Sequence, residues 1–170
     1  TGEVNVSAVR WTPDGNGISF LAKRGKDKFT ALYVIASDGG EARRIVAHDA
    51  DIQEYDWSLD GKYVAFVATE KAPKEKKKLA EKGLGQEVFE EEIRHPRLWT
   101  AAPDQDAEIP KALDVPGSAS ELHWSPAGRH LALAIAPTPF VDDRYMKRRI
   151  HVIDAASGTV VAKVDNTGKI

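Results

Sequence analysis

The stretch "AVRWTPDG" at residues 8–15 returns as "EYDWSLDG" at 54–61 and as "ELHWSPAG" at 121–128. A phrase that recurs along one chain marks a recurring structural unit. Its chemistry reads as a strand running into a tight turn. Pro13 presets φ for the second position of a type I turn, Asp14 tolerates the third, and Gly15 supplies the positive φ of a bulged hairpin. Ser58 and Ser125 replace Thr12 in the other copies and can bond the nearby backbone. Ala127 stands where the others have Asp14 and Asp60, so the turn does not depend on the carboxylate and the motif reads as structural. The tryptophan is expected to wedge between neighbouring units, because a large aromatic buries much area per residue.

Trp11, Trp57 and Trp124 set the period. The intervals are 57 − 11 = 46 and 124 − 57 = 67 residues. Four-stranded propeller blades recur every ~40–50 residues, so the second interval is one blade plus an insertion of about 21. Each unit divides into four short strands. The first strands are 6–11, 53–57 and 120–124; the second are 17–23, 62–69 and 130–136. The third are 31–37, 97–102 and 149–155; the fourth are 41–48, 109–115 and 159–165. "YVAFVA" and "LALAIA" in the second strands are apolar on both faces, as a sheet covered on both sides requires. The expected fold is all-β: a partial β-propeller of about three four-stranded antiparallel blades with a short helical insertion. The chain is expected to be a single propeller fragment, 1–170. Its blades span 5–48, 52–115 (carrying the insertion 70–96) and 119–165.

Known propellers use about four to eight blades, so three are not expected to close a ring. The chain opens "TGEV" and closes "TGKI", in phase with its own repeat, and reads as cut from something longer. Such a fragment is expected to self-associate through its uncovered faces. Ile18, Phe20, Leu131, Leu133 and Ile135 are expected to divide between covered and bare sides.

The 170 residues are 42% hydrophobic and 29% charged, with net charge −2. That balance gives no field that draws the surface to nucleic acid or membrane. No run of about 18 apolar residues exists. Cysteine is absent, which removes a thiol nucleophile and Cys-ligated metal but does not separate a periplasmic or secreted protein from a cytoplasmic one. His48, His95, His123, His130 and His151 fall singly on different strands and loops, so no metal site and no cofactor are expected. "HDADIQEYD" (48–56) lacks the glycine and terminal glutamate of an EF-hand loop.

Two connections between second and third strands hold the candidate functional residues. In the insertion, Pro73 and Gly83 bound an expected helix at 73–82. Residues 71–82 hold six lysines and two glutamates, and "EVFEEE" follows. The segment reads either as a solvated loop of offsetting charge or as a docking surface. In "PTPFVDDRYMKRR" (137–149), Asp142, Asp143, Arg144 and Tyr145 read as a local ion-pair cluster or as a contact to substrate or a partner domain.

The phrase "W-[ST]-P-D-G" followed by an apolar strand and then "LYV…DGG…RRI" resembles the TolB-like propeller repeat. "EEEIRHPRLW" (90–99) and "APTPFVDDRYMKRRIHVIDAASG" (136–158) narrow the likeness to the non-catalytic propeller of prolyl-oligopeptidase-family serine peptidases, the group of dipeptidyl and acylaminoacyl peptidases. The resemblance implies a propeller that caps an α/β-hydrolase domain of the same parent chain and admits only small or unstructured peptides. It implies no catalytic residue here, since no G-x-S-x-G elbow occurs and "PGSAS" (116–120) lacks the second glycine. Dipeptidyl peptidases of the group hold the substrate's amino terminus with a propeller-borne glutamate pair, and Glu90, Glu91 and Glu92 are similar in wording. Here they precede a third strand rather than a first, although both connections emerge on the same face of a blade. The other function class left open is a TolB-like propeller scaffold that binds a protein and never belonged to an enzyme.

Overall fold

The computed structural model describes residues 4–69, 93–103 and 109–164. Twelve strands form three four-stranded antiparallel sheets, each a simple meander. The first blade is β1 (Val6–Trp11), β2 (Gly17–Ala22), β3 (Ala31–Ala36) and β4 (Arg43–Val46). The second is β5 (Ile52–Trp57), β6 (Val64–Thr69), β7 (Pro96–Ala101) and β8 (Lys111–Leu113). The third is β9 (Ser118–Trp124), β10 (His130–Ala136), β11 (Arg149–Asp154) and β12 (Val160–Lys163). The fourth strands are three or four residues long, shorter than the sequence expectation. The predicted helix at 73–82 lies outside the described residues. A helix that the sequence did not announce, α1 (Val141–Met146), occupies the corresponding connection of the third blade.

The repeated turn forms as its chemistry requires. The Gly15 N–H donates to the Thr12 carbonyl at 2.9 Å, and the Thr12 N–H donates to the Gly17 carbonyl at 2.9 Å. Gly15, Gly61 and Gly128 have φ of 72°, 69° and 72°, the left-handed region that side chains resist. Where an aspartate is present it adds to the turn. Asp14 accepts from the Thr12 hydroxyl at 2.6 Å, and Asp60 from the Ser58 hydroxyl at 2.7 Å. The third copy closes with Ala127 in place, and the Ser125 hydroxyl accepts the His130 N–H at 3.1 Å.

The core lies between the blades. Period-two alternation in the middle blade sends Val64, Phe66 and Ala68 toward the first blade, where they meet Leu21, Leu32 and Val46. Ala65 and Val67 point the other way, into a cluster with Leu122, Leu131, Leu133, Ile135 and Ile153 of the third blade. All five residues of Val64–Ala68 are fully buried, which is why this strand reads as a continuous apolar run.

The tryptophans take one structural position with two different environments. Trp57 packs on the first blade and Trp124 on the second, each against the blade that precedes it. Trp11 has no blade before it in the structure and is 64% exposed. The five strand-two residues divide in the same way. Leu131, Leu133 and Ile135 are buried against the middle blade, whereas Ile18 and Phe20 are half-buried on the first blade's outer face.

Candidate functional site

Two features gather the polar chemistry of the stack. One is the row of first strands; the other is the edge that carries the strand-two to strand-three connections.

Along the first strands, a charge ladder ties the blades together. Arg10 of β1 donates to Glu54 Oε1 of β5 at 2.9 Å and lies 3.7 Å from Asp56 Oδ1. Asp56 in turn accepts the backbone N–H of Trp124 in β9 at 2.7 Å, and His123 Nδ1 lies 4.0 Å away. Arg10, Asp56 and His123 each precede the repeat tryptophan, so one position of the repeat carries an arginine, an aspartate and a histidine across the stack.

Behind this ladder sits a buried hydroxyl. Ser19 Oγ is 2.9 Å from the Tyr55 hydroxyl, accepts Trp57 Nε1–H at 3.0 Å and faces the Arg10 carbonyl at 3.2 Å. The Tyr55 hydroxyl donates to the Ala8 carbonyl at 2.8 Å. Burial pushes the Tyr55 phenol up to about 12. Ala8 is the one non-glycine residue with positive φ among the described residues, at 50°, and it sits where the β1–β2 register slips. The tyrosine therefore anchors a bulge on the neighbouring blade.

On the connection edge, the 23–30 loop is organised by Asp27. It accepts the Tyr33 hydroxyl, an Arg44 guanidinium N–H and the Arg24 backbone N–H. Burial works to raise its pKa, but these donors hold it below the ordinary carboxylate range. Burial, with the Asp27 carboxylate beside it, pushes Tyr33 up to about 12.

The equivalent connection of the third blade contains all four residues singled out at 142–145. Asp143 is engaged internally, accepting Lys147 Nζ at 2.9 Å and the Thr138 hydroxyl at 2.8 Å. The Lys147 bond, then the Thr138 bond, holds its carboxyl below the usual range. Asp142, Arg144 and Tyr145 face solvent, with Tyr145 74% exposed. The quartet thus splits into one structural carboxylate and three presented side chains. Glu90, Glu91 and Glu92 lie outside the described residues.

Besides the charge ladder and Ser19, sequence reasoning missed a His–Ser pair. His95 Nδ1 lies 2.7 Å from Ser118 Oγ in the "PGSAS" run. Ser118 is 4% exposed, and no hydrogen bond joins His95 to a carboxylate among the described residues. A hydroxyl so enclosed cannot meet a substrate, so the pair fastens the entry of β9 to the second blade. Arg97 completes that fastening by donating to the Val115 and Gly117 carbonyls at 2.9 and 3.0 Å. Among the described residues, no three His, Asp or Glu side chains converge as metal ligands do.

No known family profile matches the chain. The chain is 33% identical over 68 residues to the uncharacterised peptidase YuxL of Bacillus subtilis (strain 168); the match spans 40% of this chain and 10% of that protein. Its structure is similar to a protein described as TolB from Agrobacterium tumefaciens, with TM-score 0.62 and 18% identity over 94% of this chain and 49% of the other. It is similar to a prolyl endopeptidase, with TM-score 0.62 and 13% identity over 95% of this chain and 22% of that enzyme. The acylaminoacyl peptidase of Pyrococcus horikoshii matches with TM-score 0.58 and 13% identity over 95% and 25%. The chain thus spans a tenth of the curated relative and no more than half of these solved structures. Three meandering sheets stacked with Trp57 and Trp124 between them give this chain the fold of the TolB-like propeller repeat, similar to the propellers of TolB and of prolyl-oligopeptidase-type peptidases.

Proposed function

We propose that the chain is a non-catalytic propeller segment of a prolyl-oligopeptidase-like serine peptidase, where it gates peptide access and docks the α/β-hydrolase domain of the same parent chain. The observation that carries this reading is the 33% identity to a peptidase, alongside a fold similar to peptidase propellers. In this reading the connection edge faces the partner domain, with Asp142, Arg144 and Tyr145 as contacts and Asp143 holding their helix in place. Glu90, Glu91 and Glu92 take the ammonium of the peptide's amino terminus, because paired carboxylates offer charge-assisted acceptors. The isolated segment self-associates through its uncovered faces.

The deciding test is the reading frame downstream of Ile170. A G-x-S-x-G elbow followed by Asp and His in α/β-hydrolase order supports the proposal. Further propeller repeats running to the stop codon would sink it. That outcome would favour the second reading, a TolB-like scaffold that binds a protein partner, which rests on the similarity to the TolB structure.

A further inference from the structure

The repeated turns of the first and second blades frame a groove on the edge opposite the strand-two to strand-three connections. Its volume is about 590 Å³, and every residue that lines it lies between Thr12 and Pro103. Pro103, which is buried, and the half-buried Val34 and Trp57 give it an apolar lining. The Trp57 indole uses its one N–H on Ser19, so it offers the groove only ring carbons. The exposed side chains Asp14, Glu41 and Asp60 share the lining with one cation, Arg43, which leaves it two charges negative.

The other copies of the repeat show which of these residues the turn itself needs. Counting from the tryptophan, Asp14 and Asp60 correspond to Ala127, and that third turn closes with the Gly128 N–H donating to the Ser125 carbonyl at 2.9 Å. Leu59 corresponds to Pro13 and Pro126, yet it is an apolar side chain left 68% exposed. Gly17 corresponds to Tyr63 and His130. A Cβ at Gly17 would lie 3.2 Å from Val34 Cγ1 and 3.3 Å from Thr12 Cγ2, and both residues line the groove. The turn therefore accounts neither for the two carboxylates nor for the exposed leucine, and a glycine keeps a side chain off the lining beside them.

The carboxylates are also held in place. Asp14 Oδ1 accepts the Thr12 hydroxyl at 2.6 Å and the Asn16 N–H at 3.1 Å. Asp60 Oδ1 accepts the Ser58 hydroxyl at 2.7 Å and the Lys62 N–H at 3.2 Å. In each case the hydroxyl first, then the backbone N–H, holds the carboxyl below its usual range. Lys62 Nζ stands 3.6 Å from Asp60 Oδ2 in an exposed pair, a contact weak enough for a better-placed cation to displace. Charges fixed in this way are presented to a ligand with little ordering left to do.

We propose that this groove docks an extended, arginine-bearing segment of a partner protein. The guanidinium meets Asp14 and Asp60 and stacks on the Trp57 ring, while apolar neighbours of the arginine lie on Leu59 and Pro103. Charge complementarity selects the cation, and an aromatic surface beside carboxylates suits a planar guanidinium better than a strongly hydrated ammonium. The volume falls in the ~300–1,000 Å³ range of sites for drug-sized ligands, more than one side chain fills, which calls for a peptide around the arginine. The groove lies on the edge that the peptidase reading turns away from the hydrolase domain, so the proposal stands or falls separately from that reading.

Isothermal titration of the 170-residue chain with the capped peptide acetyl-Gly-Leu-Arg-Leu-Gly-amide tests it. The Kd should be at least about 10-fold lower than for the same peptide carrying citrulline, the uncharged isostere of arginine. Raising salt from about 50 to about 300 mM should weaken binding several-fold. Asp14→Asn combined with Asp60→Asn should raise Kd at least about 10-fold. The turn closes even with Ala127, so far-UV circular dichroism should show this variant folded. Leu59→Ser should raise Kd about 5-fold, an effect that long-range charge alone does not produce. Asp38→Asn, an exposed carboxylate outside the groove, should leave Kd within about 2-fold. Absence of binding at about 1 mM peptide overturns the proposal, as does equal affinity for the citrulline peptide or an equal effect of Asp38→Asn. Binding of N-acetylarginine amide as tight as that of the peptide overturns the docked segment in favour of a small organic cation.

Discussion

Ser19 and Ala65 occupy the same position in consecutive blades, and exchanging them gives opposite effects. Ser19 is fully buried and is the acceptor for Trp57 Nε1–H at 3.0 Å. Removing its hydroxyl in Ser19→Ala strands that donor and takes a partner from Tyr55 and from the Arg10 carbonyl. Tyr55 keeps its bond to Ala8, so the main loss is one unsatisfied indole N–H and one buried hydroxyl, about 2 kcal/mol in total. In the next interface Trp124 packs against the cluster that contains Ala65, the repeat equivalent of Ser19, and its Nε1 is buried with no hydrogen-bond partner. Ala65→Ser offers the missing acceptor and should stabilise by about 1 kcal/mol. For a chain of this length each kcal/mol moves Tm by roughly 2–4 °C. Differential scanning calorimetry at equal protein concentration should then show Ser19→Ala about 4–8 °C below wild type and Ala65→Ser about 2–4 °C above it. A fall in Tm for Ala65→Ser would mean that the second interface has no room for a hydroxyl and that the two sites are not equivalent, refuting the argument.

Gly117→Ala should be among the most damaging single changes. An added Cβ would lie 2.3 Å from the Ala136 carbonyl oxygen, at φ +75°, and the clash is with backbone that cannot rotate away. A loss of more than about 3 kcal/mol is expected, read from the urea midpoint of Gly117→Ala against the exposed-turn control Gly128→Ala. Tyr33 and Tyr55 make stability pH-dependent on the alkaline side. Their folded pKa values of about 12 lie above a tyrosine's ordinary value of 10.0, so the stability they contribute is complete below pH 10 and is lost as pH rises through 12. Absorbance at 295 nm, differenced against Tyr33→Phe and Tyr55→Phe, should show both phenols un-ionised at pH 11 while the chain stays folded, and ionisation of either near 10 would contradict their burial. If Glu90, Glu91 and Glu92 hold a peptide's amino terminus in a longer peptidase, as proposed, replacing them there by Gln should raise KM at least about 10-fold for free-amine peptides and leave acetylated peptides unchanged, because only the former would lose a charge-assisted bond. Equal effects on both substrates would reduce the triplet to solvated loop.

The repeat was legible because its signals are local. Pro13, Asp14 and Gly15 specify a turn through their own backbone preferences, and the apolar runs at 64–68 and 131–136 declare two-sided burial. The helix α1 was not legible because it lacks the usual announcement. Phe140 is its N-cap and makes no side-chain capping bond. The work is done two residues earlier by Thr138, whose hydroxyl accepts the Phe140 N–H at 3.3 Å and donates to Asp143. The ladder Arg10–Glu54–Asp56–Trp124 was invisible for a different reason. Its hydrogen bonds join residues 44 and 68 apart, and Arg10, Glu54 and Asp56 each alone look like an ordinary surface charge on a strand.

Ser19 is the instructive intermediate. A lone serine inside "GISFLA" carries no message by itself, yet its counterparts are Ala65 and Ala132. A polar residue buried at a position that the other copies leave apolar must have found a partner, since an unpaired hydroxyl in that place costs a few kcal/mol. Comparing the copies with one another, rather than reading each for periodicity, would have pointed to the Tyr55 and Trp57 side chains opposite. The same comparison explains why the interfaces differ while the tryptophan stays. The indole supplies area that any neighbour can cover, so it is insensitive to what it meets. The residues around it decide whether the N–H is satisfied: the first interface sets the Ser19 hydroxyl against the indole of Trp57, and the second leaves Trp124 Nε1 without a partner. Each blade can thus change its preference for the next by one atom at this position without disturbing the fold.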